Sequence, residues 1–252
     1  MLNQLTTKQI LQKYNITANK NLGQNFLIDE NILRKIVQTA HITPNDIILE
    51  IGPGLGSLTK HLVNSDAKKI IAVERDPRFI QILQSELPQD KLKIIHTDAL
   101  KFDIKSEVKI GETLKIVANL PYNIGTKLLT NWIEQTDIAI DLMVLMLQEE
   151  VVDRIVATPK TKIYGSLSIL CQLTHQCHKA FPVSRTCFSP PPNINSAIVT
   201  LSPKPHKIPN LTFISVSLKS LFSHRRKLLS GTTHRIEDLT PDEILEYLTC
   251  HP

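Results

Sequence analysis

Short apolar runs alternate with helix-spaced segments along most of this chain, the pattern of a largely parallel sheet with helices between its strands. Residues 47–51 read as a first strand, followed by glycine-rich punctuation and a helix near residues 57–63. Residues 69–74 form a second strand, and the next helix opens at Pro77, since proline suits the first helical position. Residues 92–96 and 114–118 are the third and fourth strands. The run 139–147 is almost unbroken in its apolarity, as expected of a central strand covered on both faces. A proline-rich break at 189–192 precedes a late strand at 197–201, and Pro203, Pro205 and Pro209 mark a linker. Beyond it, residues 213–229 and 241–248 read as helices. The expected architecture is therefore α/β and doubly wound, with residues 1–203 as the main domain and 204–252 as a small helical C-terminal domain.

Composition adds bounds. The 252 residues suffice for one α/β domain and an appendage, and a 42% hydrophobic share is that of a globular protein. No apolar run approaches the roughly 20 residues that a spanning helix needs. Residues 1–28 lack Asp and Glu, as an organelle transit segment would, but they also lack Arg and run into a motif-like stretch at Asn19, so the expected location is the cytoplasm. The net charge of +5 fits a polyanionic partner without establishing one. Its distribution says more: residues 201–235 contain no acid, while Lys204, Lys207, Lys219, Arg225, Arg226, Lys227 and Arg235 are all basic.

The four cysteines form no disulfide framework. Cys171, His175, Cys177 and His178 crowd together, and a Cys and a His four apart could share a helix face as metal ligands. The plainer reading is a buried helix at 167–173 that ends in a polar turn. No metal is expected.

The first candidate chemistry is the turn Glu50-Ile51-Gly52-Pro53-Gly54-Leu55-Gly56, where the first strand gives way to the first helix. Glycines there let the backbone turn tightly and approach a ligand. A second feature joins it: Glu74 ends the next strand, placed to accept from two ribose hydroxyls. Together Gly52, Gly54 and Glu74 indicate an adenosine-containing ligand. The spacing G-x-G-x-G differs from the G-x-G-x-x-G of dinucleotide folds, whose helix terminus holds a pyrophosphate. Asp98, just past the third strand, suits the adenine amine equally with a simple helix cap.

The tetrapeptide Asn119-Leu120-Pro121-Tyr122 follows the fourth strand. The N6 lone pair of adenine is delocalised into the ring, so that amine attacks a methyl group only if it is held and aimed. The Asn119 side-chain oxygen and the Leu120 carbonyl can both accept from its hydrogens. Pro121 restricts Leu120 to extended conformations, which fixes that carbonyl. Tyr122 offers a face on which a flipped-out base can stack.

These residues resemble the bacterial 16S ribosomal RNA adenine-N6,N6-dimethyltransferase family, over roughly residues 19–229. The motifs are Leu22-Gly23-Gln24-Asn25-Phe26-Leu27, the glycine turn, Val73-Glu74, Asp98-Ala99, Asn119-Leu120-Pro121-Tyr122-Asn123, residues 147–154, Tyr164-Gly165, residues 188–199 and residues 222–227. The resemblance implies a Rossmann-like class I methyltransferase sheet, S-adenosylmethionine as cofactor, and dimethylation of two adjacent adenosines in 16S rRNA within the 30S subunit or its precursor. It implies that Asn25 and Leu27 touch the cofactor alongside Gly52, Glu74, Asp98 and Asn119. It further implies that Phe188 and Tyr122 sandwich the target base, with residues 190–196 positioning it. His224-Arg225-Arg226-Lys227 reads as a phosphate-contacting surface or as a solvated helix face; with the resemblance, Arg225, Arg226 and Lys227 are expected to meet RNA. A monomer without metal or membrane attachment is expected.

Two departures from the family pattern stand out. Leu228-Leu229-Ser230-Gly231 replaces the usual Asn and longer helical tail, so an abbreviated C-terminal domain is expected. Gly125-Thr126-Lys127 replaces the commoner Ser-Thr-Pro, which predicts a slightly looser catalytic loop. Rival readings are a 23S-directed methylase of the antibiotic-resistance type, a non-catalytic ribosome assembly factor and, more distantly, a nicotinamide oxidoreductase. Leu120 and the Gly-Pro-Gly-Leu-Gly turn favour the 16S reading over the first, and the intact Asn119–Tyr122 loop disfavours the second.

Overall fold

The computed structural model describes residues 5–16, 25–135, 138–206 and 208–250. Its main sheet has seven strands: β2 (Asp46–Ile51), β3 (Lys69–Glu74), β4 (Leu92–His96), β5 (Thr113–Asn119), β6 (Ile140–Gln148), β7 (His175–Val183) and β9 (Ser196–Pro203), in the order β4-β3-β2-β5-β6-β9-β7. Strands β2 to β6 are parallel, and β9 lies antiparallel to both β6 and β7. A separate short ladder pairs β1 (Phe26–Leu27) with β8 (Phe188–Ser189). Every residue of β2 is buried, which is why its sequence shows an apolar run in place of alternation.

Helices cover both faces. Asp29 caps α2 (Glu30–Thr39) by accepting from the amides of Asn31 and Ile32, and Asp76 caps α4 (Pro77–Glu86). At the N-terminal edge of the sheet, Lys115 of β5 and Asp46 of β2 form a buried ion pair at 2.9 Å. Lys115 also donates to the carbonyls of Ala40 and His41 that end α2, so its charge is fully partnered. Burial pushes the Asp46 carboxyl upward, but Lys115 and the Thr43 amide outweigh it and hold the group below its usual range.

The strands and first helices read from the sequence stand where the alternation put them, with ends that move by one or two residues; Pro203, read as part of a linker, is the last residue of β9. Three regions differ. Helix α7 (Ser166–Thr174) passes directly into edge strand β7 at His175, so no polar turn follows it and Cys171 does not share a helix face with His175. Strand β7 escaped notice because its alternating face carries His, Cys and Lys, and because Pro182 is tolerated only at such an edge. Its Lys179 is held at 2.8 Å by both Glu149 and Asp153 of α6 (Glu149–Ile155). Helix α8 (Leu211–Ser223) stops before the basic run instead of carrying it to residue 229. Its Leu211, Ile214 and Leu218, with Ile244 and Leu248 of α9 (Pro241–Cys250), join the same hydrophobic core as Leu167 and Leu170 of α7. Among the described residues, no helix is long and apolar enough to cross a membrane.

Candidate active site

Chain order along the sheet reverses between β2 and β5, and open α/β sheets hold ligands at the C-terminal ends of the strands beside such a reversal. A cavity of about 680 Å³ lies there. Asn25, Leu27, Gly52, Gly54, Glu74, Asp98, Asn119, Leu120, Pro121, Tyr122 and Phe188 all border it, although they come from widely separated stretches of sequence.

One side is organised by Glu74 at the end of β3. Its Oε1 accepts from the amides of Arg75 (2.7 Å) and Asp76 (2.8 Å), and its Oε2 from Gly54 (3.0 Å). Gly54 has φ +55, a left-handed conformation that turns its N–H toward the carboxylate. Burial holds the Glu74 carboxyl above its usual range although these three donors pull the other way. Oε2, with a single donor, keeps a lone pair for a ligand hydroxyl. Asp98 is the cap that its sequence allowed: Oδ1 caps a short 3-10 turn through Leu100 N at 2.9 Å, while Oδ2 lies 3.6 Å from Arg75, and the residue borders the cavity.

The opposite side is the loop after β5. Leu120 N donates to Met146 O of β6 at 3.2 Å, and Pro121 O accepts from Ile124 N (3.1 Å) and Gly125 N (2.9 Å). The loop thus closes as a hydrogen-bonded turn into α5 (Gly125–Glu134). A Cβ on Gly125 would sit 2.7 Å from Leu147 Cδ2 and 3.3 Å from Leu120 Cβ. The glycine therefore lets α5 pack closely under the loop. Tyr122 is tied by its hydroxyl to Ser196 Oγ at 2.7 Å.

Phe188 reaches the cavity from far along the chain through the β1–β8 ladder, in which Leu27 faces Phe188 and Phe26 faces Ser189. Ile28 N adds a bond to Cys187 O at 2.8 Å. Asn25 and Leu27 are thereby set beside Phe188, whereas residues 19–24 of the same motif stretch lie outside those described. Helix α1 (Thr7–Lys13) braces this corner: the Thr7 hydroxyl meets Ser57 Oγ, at the start of α3 (Ser57–Val63), at 2.8 Å. Nothing in the sequence singled out Thr7, because its partner lies 50 residues away.

The basic run stands apart from the cavity lining. Arg225 bonds to Glu237 (Nε to Oε2, 2.5 Å) and donates to the carbonyls of Lys162 (2.9 Å) and Thr161 (3.3 Å). Its guanidinium thus fastens the C-terminal segment to the loop before α7, while Arg226 and Lys227 are both exposed. The sequence treated the three alike; the fold separates them.

One cavity residue was passed over as part of the turn motif. Glu50 is only 2% exposed, and its Oε2 has no hydrogen-bond partner among the described residues. Burial raises its carboxyl to about 8, and the neighbouring Glu74 adds to the rise. The available signal was a lone acid inside the apolar strand run Ile47-Ile48-Leu49-Glu50-Ile51.

Comparison with known proteins agrees with this geometry. A family model described as ribosomal RNA adenine dimethylase matches residues 3–251. A ribosomal RNA small subunit methyltransferase A of Streptococcus thermophilus is 44% identical over 232 residues, covering 88% of this chain and 79% of that protein. Among solved structures, a dimethyladenosine transferase from Plasmodium falciparum superposes with a TM-score of 0.69 at 32% identity, over 81% of this chain and 73% of its own. The 23S rRNA methyltransferase ErmE, at 23% identity and a TM-score of 0.63 over 82% of this chain and 81% of its own, shares the fold.

Proposed function

The chain belongs to the ribosomal RNA adenine dimethylase family, and we propose that it is an S-adenosylmethionine-dependent enzyme that dimethylates N6 of two adjacent adenosines in 16S rRNA. It acts in the cytoplasm as a monomer, on the 30S subunit or its precursor. The observation that carries this reading is one cavity bordered at one end by Glu74 and at the other by Asn119 and Tyr122.

The donor set suits this cofactor. Glu74 Oε2 offers a lone pair to a ribose hydroxyl, and Glu50 Oε2, which has no partner among the described residues, offers an acceptor to a cationic ligand. Asn25, Leu27, Gly52 and Gly54 enclose it, and Asp98 takes the adenine amine. S-adenosylmethionine supplies a methyl group on a sulfonium, which is an excellent leaving group.

What remains for the protein is positioning. The Asn119 side-chain oxygen and the Leu120 carbonyl accept from the two hydrogens of the target amine. That grip draws the nitrogen toward a tetrahedral shape and points its lone pair into the cavity. Pro121 fixes the Leu120 carbonyl, and the rings of Tyr122 and Phe188 hold the base between them. After the transfer, the nitrogen gives up its surplus proton. Arg226 and Lys227 meet rRNA phosphates away from the reacting base.

Mass spectrometry of rRNA fragments tests this after the protein, S-adenosylmethionine and unmethylated 30S particles are incubated together. Two neighbouring dimethyladenosines in 16S rRNA are the expected product. Methylation confined to 23S rRNA, or bound particles left unmodified, would refute it.

A further inference from the structure

Glu50 is the penultimate residue of β2, and β2 lies between β3, which ends at Glu74, and β5, which ends at Asn119. A donor that puts its ribose on Glu74 and its reactive methyl before Asn119 must lay its amino-acid arm across the end of β2. That arm carries two positive charges, the sulfonium and the α-ammonium, and the side chain beneath it is a carboxyl that borders the cavity. Resting on the function proposed above, we infer that Glu50 is the cation receptor of the site: it is protonated while the cavity holds no donor, and it releases that proton to solvent as the cationic arm binds.

Burial without a partner makes an isolated carboxylate costly, so the empty site favours the neutral acid. The charged neighbour on β3 is Glu74, which disfavours a second anion. On α3 the neighbour is Thr59, whose hydroxyl opposes the rise without reaching hydrogen-bond geometry. The adjoining Lys60 and His61 are both engaged by Glu30. On β5 the facing end is the uncharged Asn119, and Lys115 is committed to Asp46 at the other edge of the sheet. No described cation therefore compensates Glu50 from within the protein, and an incoming one would. The exchange balances: one O–H bond of Glu50 breaks, its proton passes to water or buffer, and the carboxylate pairs with the ligand cation. The sign follows from linkage. The empty-site group titrates near 8, and a cation at its side lowers that value, so affinity rises with pH up to about 8 and then levels off.

Isothermal titration calorimetry on the intact protein, at pH 7 in two buffers of different ionisation enthalpy, counts the protons released. Dissociation constants measured from pH 6 to 9 give the slope. With S-adenosylmethionine, the wild type is expected to release roughly one proton and to gain up to about tenfold in affinity per pH unit below 8. 5′-Methylthioadenosine, which carries neither cation, should release none. S-adenosylhomocysteine, which retains only the ammonium, identifies the partner: release with it assigns the ammonium, and its absence assigns the sulfonium. Glu50→Gln should bind the donor without release and with a flat pH profile. The methylthioadenosine comparison on wild type stands even if that variant folds poorly. Equal release by all three ligands, or unchanged release in Glu50→Gln, would overturn the inference. Donor binding with no linked proton would overturn it while leaving the proposed function intact, whereas failure to bind the donor at any pH would sink both.

Discussion

The Tyr122 phenol and the Ser196 hydroxyl meet at 2.7 Å, so the loop leaving β5 is pinned to the first residue of β9. Burial raises the Tyr122 phenol above its usual range, and the group stays a neutral donor or acceptor throughout the range in which the protein works. The ring proposed to stack on the base is therefore oriented by a bond made 74 residues away.

Tyr122→Phe and Ser196→Ala should each slow methyl transfer by about two- to tenfold, the equivalent of one hydrogen bond worth about 0.5–1.5 kcal/mol. The double variant should cost little more than either single one, because both remove the same bond. Tyr122→Ala should lose the stacking face as well, about 1–3 kcal/mol, and should raise the KM for RNA far more than the KM for the donor. Steady-state kinetics with 30S particles separates these outcomes, and additive losses would show that the tether does not act as a unit.

Asn119→Ala should remain folded and retain measurable donor binding while its rate falls by about 100-fold or more, the scale seen when positioning of a reacting group is lost. Single-turnover transfer with donor affinity measured in parallel checks the split. A full rate would remove the amide grip from the mechanism.

The second and third glycines of the turn should fail differently. A Cβ on Gly56, at φ +80, would lie 2.8 Å from Leu83 Cδ2 and 3.1 Å from Leu87 Cδ1, so Gly56→Ala adds overpacking of α3 against α4 to backbone strain. Gly54→Ala has room, its nearest neighbour being Phe26 at 3.7 Å, and costs only the left-handed strain of about 1–2 kcal/mol. Thermal melts should show the larger drop for Gly56→Ala. Loss of donor affinity relative to stability should be larger for Gly54→Ala, whose amide holds Glu74.

Within the basic run, Arg225→Ala should lower the melting temperature, since it breaks the tie to Glu237 and to the Thr161 and Lys162 carbonyls. Arg226→Glu with Lys227→Glu should leave the melt unchanged and weaken rRNA binding. The slope of log affinity against log salt should fall by about 0.7–0.9 for each phosphate that is no longer neutralised. Filter binding at several salt concentrations reads the affinity and its slope, and an unaltered slope in the double variant would move the RNA surface elsewhere.

The sequence by itself determined the strand succession from residue 46 to residue 148, because parallel strands buried on both faces must be written as apolar runs broken by turn residues. It made Asn119 to Tyr122 and the glycine turn legible as cavity-lining candidates for a similar reason: the residues of each stand within a few positions of backbone. Tertiary structure alone decided what depends on neighbours distant in the chain. Phe188 reaches the site only because β8 pairs with β1, Ser196 holds Tyr122 only because β9 runs back along β6, and Arg225 is diverted from solvent only because Glu237 folds against it. Glu50 shows the boundary most clearly. Its identity is legible at a glance, but its protonation is set by burial and by a second carboxyl on the next strand, and neither exists until the sheet is assembled.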